Sequence, residues 1–210
     1  MKDKPSIMSQ FFLFSGQLLI NFSPHNWKAP DGTMINGNLM FEEAFLTQVY
    51  WLAKTGLIAL VPEEKSVLSK KVIHIQIKKL NKTTKSNSPI VKLFLESLPE
   101  NKIELADWVK IIGRRAGRSN PALDILAIAE SEVENLKTEK ENKFLFFTFK
   151  SKVWDQEKIK QLADQNLKTI KELWEKGKQQ SWWEPARKRL KAGLTLLRLH
   201  RWEPDSYETS

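Results

Sequence analysis

At 210 residues and 41% hydrophobic, the chain is long enough for one domain with a sizeable core. It has no cysteine, which excludes disulfides and thiolate metal centres, and its three separate histidines (His25, His74, His200) argue against a histidine-rich metal site. The formal charge of +9 points to an anionic partner, either nucleic acid or an anionic membrane surface.

In chain order, FFLFSGQLLINF (11–22) comes nearest to a membrane span, but it falls short of the roughly 20 apolar residues required. Ser15, Gly16, Gln17 and Asn21 interrupt it and no small-residue cleavage site follows, so it reads as a buried hairpin or short helix. APDGTM (29–34) is a turn through Pro30, Asp31 and Gly32. A helix is predicted from about Leu39 to Lys54, with Phe41, Phe45, Val49 and Leu52 on one face. Adjacent Glu42 and Glu43 point to different sides of it, one expected in solvent and the other capping or paired. Gly56 sits where a left-handed C-cap belongs. LIALV (57–61) and KVIHIQI (71–77) are β-rich runs, joined into a hairpin by PEEKSVLSK (62–70). Helix, glycine and basic hairpin in that order form a winged-helix pattern.

A polar loop is expected over 78–89, then short helices over 89–98 and 104–113. A third helix fits 120–136, with Asn120 as cap and Pro121 in the first turn. TEKENKFLFFTFKSK (138–152) then places Phe144, Leu145, Phe146, Phe147 and Phe149 between Lys and Glu residues. A half-buried strand alternates apolar and polar side chains, and this run does not. Read as one strand, it turns Phe144 and Phe146 one way and Leu145, Phe147 and Phe149 the other. Either set left in water would be costly and aggregation-prone. The second face therefore needs the C-terminal helix, a partner subunit or lipid against it.

Asp155 is expected to cap a helix to about Lys176, with Ile159, Leu162, Leu167, Ile170 and Leu173 on one face and Gly177 ending it. SWWEPARKRLKAGLTLLRLHRW (181–202) reads as a basic helix from about Pro185. Its stripe of Leu190, Leu194 and Leu197, flanked by Trp182, Trp183 and Trp202, suits a membrane interface or a helix packed on the domain. There is no internal repeat. The expected fold class is mainly α with small β-hairpins.

No nucleophile elbow, phosphate loop, paired-histidine helix or dinucleotide fingerprint is present. GRRAGR (113–118) lacks the Lys-Ser/Thr that a phosphate loop requires. Nothing assembles a general acid, base or nucleophile, so neither an enzyme nor a cofactor is expected. The charge is uneven: Lys65 to Leu95 holds eight lysines and no acid, and Arg187 to Arg201 holds six Lys/Arg and no acid. On charge alone, Lys70, Lys71, Arg114, Arg115 and Arg118 are the candidate phosphate contacts.

Four segments, in order, resemble the Golgi phosphoprotein 3 (GPP34) family. LAKTGLIAL (52–60) and KSVLSKKVI (65–73) are similar to its strand signature and its Lys-Ser-Leu-Leu-Thr-Arg-Lys-Val-Ile segment. DWVKIIG (107–113) resembles its Trp-Ile helix, and TEKENKFLFF (138–147) its apolar hairpin. The likeness covers about residues 30–175. It implies a GPP34-like helical domain with a winged-helix-like element over 1–177, followed by a basic Trp-flanked helix and tail over 178–210. It also implies a non-catalytic adaptor, cytoplasmic and peripheral to a membrane, that binds phosphoinositide-like headgroups and protein cargo. The hairpin, here Glu139–Lys150, is implied in membrane or homo-oligomer contacts through Phe144, Leu145, Phe146, Phe147 and Phe149. The family's headgroup-binding tryptophan and arginines fall at Asn36, Phe45, Ala129 and Glu132, where none is matched. From the residues alone, two other readings stand beside this one. The first is a winged-helix nucleic-acid binder, with the helix near 38–54 or its neighbour in a groove and Lys70–Lys79 as wing. The second is an oligomeric scaffold without lipid binding.

Overall fold

The apolar stretch near the N-terminus folds as two short buried helices, α1 (Ile7–Leu13) and α2 (Ser15–Leu19). The computed structural model describes residues 5–67, 70–80, 86–117, 120–144 and 147–199. Among them, no helix is long and apolar enough to cross a membrane. The predicted turn joins β1 (Trp27–Lys28) to β2 (Met34–Ile35). There the Thr33 N–H donates to Asp31 Oδ1 at 3.0 Å, and Gly32 takes φ 89°.

The central helix is α3 (Gly37–Lys54), opened by Asn36, whose Oδ1 accepts from the Leu39 N–H at 3.0 Å. It is not one-faced. Every residue from Met40 to Val49 is buried, because other elements cover it on all sides: α1, the strand after it and two helices from the end of the chain. A helix apolar or buried all round belongs to a core rather than to a surface. Phe45 lies at its centre, 4.8 Å from Phe94 between ring centroids. The helix closes on Gly56 at φ 72°, where the Gly56 N–H donates to Ala53 O and the Leu57 N–H to Leu52 O. This is the paired closure of a left-handed C-cap, with Leu52 and Leu57 buried beside it.

β3 (Ile58–Val67) and β4 (Lys70–Lys79) pair antiparallel, from Ile58 opposite Lys79 to Val67 opposite Lys70. The strand therefore runs through Pro62–Val67, which the sequence assigned to the connection, and β4 extends through Lys78 and Lys79 into the expected loop. Pro62 is tolerated because β3 is an edge strand. β5 (Ile103–Glu104) adds to the other side of β4. α4 (Pro89–Glu96) and α5 (Leu105–Ala116) fall where the short helices were expected. α6 (Pro121–Ser131) starts on Asn120 as predicted and stops earlier, giving way to a 3-10 turn at Glu134–Leu136. β6 (Lys137–Phe144) and β7 (Phe147–Trp154) form an isolated two-stranded sheet. α7 (Gln156–Lys178) and α8 (Trp183–Leu199) complete the chain. Among the described residues helix far outweighs strand, so the fold is mainly α with small antiparallel sheets, as expected.

One expectation about the C-terminal segment fails. Gly177 does not end α7 but lies buried within it, where a Cβ would meet Trp183 Cζ3 at 2.5 Å. Of the two readings of the basic helix, the packing is that of a helix laid on the domain: Trp182, Trp183, Ala186 and Leu190 are all in the common core. A Cβ on Gly193 would stand 2.7 Å from the Ala106 carbonyl oxygen, so α5 and α8 touch backbone to side. Trp182 and Trp183 are thus core residues rather than interface anchors. Trp202, and the side chain of Leu197, lie outside the described residues.

The positions where the resemblance places lipid-binding residues are structural here. Asn36 is a helix cap, and Phe45 and Ala129 are fully buried. Glu132 is a junction. Its Oε2 accepts from the Ser6 N–H at 2.8 Å and the Ser9 hydroxyl at 2.7 Å, and its Oε1 from the Ser88 hydroxyl at 2.5 Å and the Ile90 N–H at 2.9 Å. One carboxylate thus serves the N-terminal ends of both α1 and α4, where amide donors have no partner within the helix. Glu132→Ala should cost about 2–4 kcal/mol, taking about 1–2 for each helix end that loses its acceptor. Urea-unfolding midpoints would measure this; an unchanged midpoint would mean that water replaces the carboxylate at both ends.

Candidate functional site

The basic run on α8 has acidic partners inside the molecule. Arg187 ion-pairs through Nη2 with Glu43 Oε1 and donates from Nη1 to Glu184 Oε1 at 2.8 Å. Arg189 Nε donates to Glu104 Oε1 at 2.5 Å, and Lys191 Nζ lies 3.3 Å from Glu42 Oε2. Glu104 also caps α5, accepting from the Ala106 N–H at 2.7 Å. Three of the cations that suggested an anionic partner therefore fasten α8 to α3 and to the start of α5.

This corrects the reading of Glu42 and Glu43, since neither faces solvent. Glu43 is 2% exposed and takes a second bond from Trp174 Nε1 at 2.5 Å. Burial pushes the Glu42 carboxyl above its ordinary range, against the opposing pull of Lys191 and Arg187 and with the help of Glu43. Removing one partner of a buried pair strands the other charge. Glu43→Ala should therefore cost about 3–5 kcal/mol, read as a lower urea midpoint. Glu42 works in the opposite sense. Its folded carboxyl binds protons more tightly than the unfolded one, so its contribution to stability grows as pH falls towards the ordinary carboxylate range. Glu42→Gln should raise the melting temperature at neutral pH and flatten its rise on mild acidification; an unchanged slope would count against the burial argument.

The sequence-nominated cations are not gathered in one place. Lys71 stands on the β3–β4 hairpin, exposed and paired with Glu64 at 2.8 Å. Lys70 opens β4, and its side chain is outside the described residues. Arg114 and Arg115 form the exposed last turn of α5. They have no ion pair among the described residues, and Arg118 lies outside them. Among the described residues, no bond links the hairpin cations to the α5 cations.

The apolar run is not one strand. Phe144 pairs with Phe147 as the last rung of the β6–β7 hairpin, and Phe149 pairs with Asn142. The run spans two strands and their connection, so the alternation expected for a single strand does not apply. Leu145 and Phe146 are outside the described residues, as are the side chains of Phe144, Phe147 and Phe149. The stem is charged and exposed at Glu139, Lys140, Glu141, Lys150 and Lys152. It is tied by Lys150 to Glu139 at 3.3 Å and by Lys152 to Glu134 at 2.5 Å. At its base Trp154 packs on Phe12, 5.9 Å between centroids, and Lys137 pairs with Glu130. Beyond that base no described element packs substantially on the hairpin. α8 packs chiefly on α5, so the described part of the C-terminal helix does not cover it.

A cleft of about 500 Å³ opens between the first turns of α3, the first turns of α6 and the second half of α8. Met40, Phe41 and Leu126 supply apolar walls, Glu42 and Lys191 a charged pair, and Leu123, at 56% exposure, stands on its lip. The residue spacing gave no sign of this cleft, because its walls come from three distant segments. No group of His, Asp or Glu among the described residues is arranged to hold a metal ion. Comparison with protein-family models, with curated proteins and with solved structures finds no match for the chain.

Proposed function

We propose that the protein is a non-catalytic peripheral membrane adaptor, cytoplasmic, that binds anionic lipid with phosphoinositide-like headgroups and also engages protein partners. The β6–β7 hairpin carries this reading. A two-stranded sheet alone is marginal in water, and this one ends in a Phe144–Phe147 rung above a charged stem. An apolar tip on a charged stem suits a bilayer interface, with the chains taking the tip and the headgroups the lysines. Arg114 and Arg115 add exposed positive charge, with no ion pair among the described residues. The GPP34-like fold with its winged-helix-like element belongs to the same proposal, since α3, Gly56 and the β3–β4 hairpin follow in the expected order.

A second reading, a homo-oligomeric scaffold, draws on the same hairpin, because another subunit would cover the tip as well as lipid does. The nucleic-acid reading loses support. Of the helices considered for a groove, α3 is buried from Met40 to Val49 and has no free face there to offer.

Charge reversal at Lys70, Lys71, Arg114 and Arg115 should weaken flotation with anionic liposomes, by about 1 kcal/mol for each cation close to the surface. Unchanged flotation would leave those cations as a solvated face. Replacing Leu145 and Phe147 by Ser separates the two readings. Release from liposomes by a variant that was monomeric throughout supports the lipid contact. Conversion of an oligomer into a folded monomer, followed by light scattering, supports the scaffold. Loss of cooperative melting would place those side chains in the protein's own core and end both.

A further inference from the structure

We infer that a second cleft, between the start of α1, the end of α3, the start of α4 and the second half of α7, takes an uncharged indole-type ring whose N–H is received by Gln10 Oε1. The inference does not depend on the membrane reading above.

This cleft measures about 580 Å³, within the range of small-molecule sites. Ile7, Val91 and Leu173 make its wall largely apolar, and Trp51, half-buried, adds an aromatic ring. Aromatic rings attract one another in offset or edge-to-face packing beyond what their buried area supplies. Gln10 lines the same cleft and is 2% exposed. Its Nε2 donates to the Pro5 carbonyl at 2.7 Å, which distinguishes the two ends of the amide. Oε1 is buried and has no donor among the described residues. A buried acceptor without a partner is destabilising, and each one in a folded protein calls for an explanation. An N–H on a bound ligand supplies one.

The hydroxyls around Gln10 do not provide that donor, because their hydrogens are spent within the protein. Ser9 Oγ donates to Glu132 Oε2, so in the 2.7 Å contact between Ser6 and Ser9 the hydrogen comes from Ser6. Ser88 Oγ donates to Glu132 Oε1. Thr55 Oγ1 donates to the Trp51 carbonyl at the end of α3. Ser6 and Ser88 line the cleft beside Gln10, and like its Oε1 they have only acceptor capacity left for a ligand. The cleft therefore calls for a ligand that donates.

An ammonium and an indole N–H both donate without accepting. The charge around the cleft separates them. Among the described residues no Asp or Glu lines it. Glu132, behind the two serines, already accepts four hydrogen bonds. Lys54, exposed on the rim, offsets the negative end of the α3 dipole, and the start of α4 adds positive potential. A cation buried here would have no counter-charge. An uncharged ring with a single donor suits both the apolar wall and Gln10.

Ligand-detected NMR titrations of the full chain test this, with indole, N-methylindole, N-acetyl-tryptophanamide and benzylammonium as probes. Indole is expected to bind, and N-methylindole, which lacks the N–H, to bind roughly tenfold more weakly. Gln10→Met keeps the length of the side chain and removes the acceptor, so it should bring the two affinities to within about twofold of each other. Thr169 is exposed on the rim, and Thr169→Trp should fill the mouth and abolish indole binding without lowering the melting temperature. That variant decides the matter if Gln10→Met does not fold. Failure of indole to bind, or equal binding of N-methylindole to the wild-type chain, overturns the inference. So does a Gln10→Met variant that still prefers indole, or indole binding that survives Thr169→Trp and so lies elsewhere. Tighter binding of benzylammonium would make the cleft a cation site. Binding of N-acetyl-tryptophanamide but not indole would make it a dock for a tryptophan side chain of another protein, and either result overturns the assignment to a free indole-type compound.

Discussion

One carboxylate organises the C-terminal half of the molecule. Glu43 comes from α3, Trp174 from α7 and Arg187 from α8, and the three meet at the two oxygens of Glu43. A carboxylate at 2% exposure is tolerated only while its partners are in place. The planar guanidinium of Arg187 suits this role, because it spans Glu43 and Glu184 at once. Once α8 is fixed there, its other contacts follow. Trp183 lies on Gly177, Gly193 on the Ala106 carbonyl, and Arg189 and Lys191 reach Glu104 and Glu42. The cleft beneath Lys191 exists because this docking leaves the second half of α8 standing over the first turns of α3 and α6.

The elements that the sequence revealed are those governed by local chemistry. Asn120 followed by Pro121, Asp155 before α7 and Gly56 after α3 each act within a few residues of themselves, through side-chain caps or a positive φ. What escaped notice depends on partners far along the chain. Arg187 lies 144 positions from Glu43, and Glu132 lies 126 from the Ser6 amide it accepts. Spacing cannot pair such residues, so one of Glu42 and Glu43 looked solvated and the α8 run looked like a surface for an anionic partner. The apolar run failed for another reason. Its connection carries no glycine, proline, asparagine or aspartate to mark a turn, so a hairpin end read as a continuous strand. The candidate cations were legible as charge, but charge alone could not say which of them are already neutralised within the fold.

That redistribution narrows where an anionic surface can act. With Arg187 and Arg189 held by carboxylates inside the fold, the positive charge available to a partner includes that of the β3–β4 hairpin and the end of α5. Surface ion pairs such as Lys71 with Glu64 are weak, and a denser anionic field competes for the lysine at little cost. The buried pairs do not yield in this way, because separating them strands a desolvated charge. The same residue type therefore serves structure on α8 and remains available on the hairpin.

α6 leads through the Glu134–Leu136 turn directly into β6. Just beyond the end of α6, Glu132 is pinned by four hydrogen bonds to the starts of α1 and α4, so the base of the hairpin is anchored to the helical body. A bilayer or a second subunit that held the Phe144–Phe147 end of the hairpin would therefore orient the whole domain through that base, and a membrane-spanning helix is not required for it.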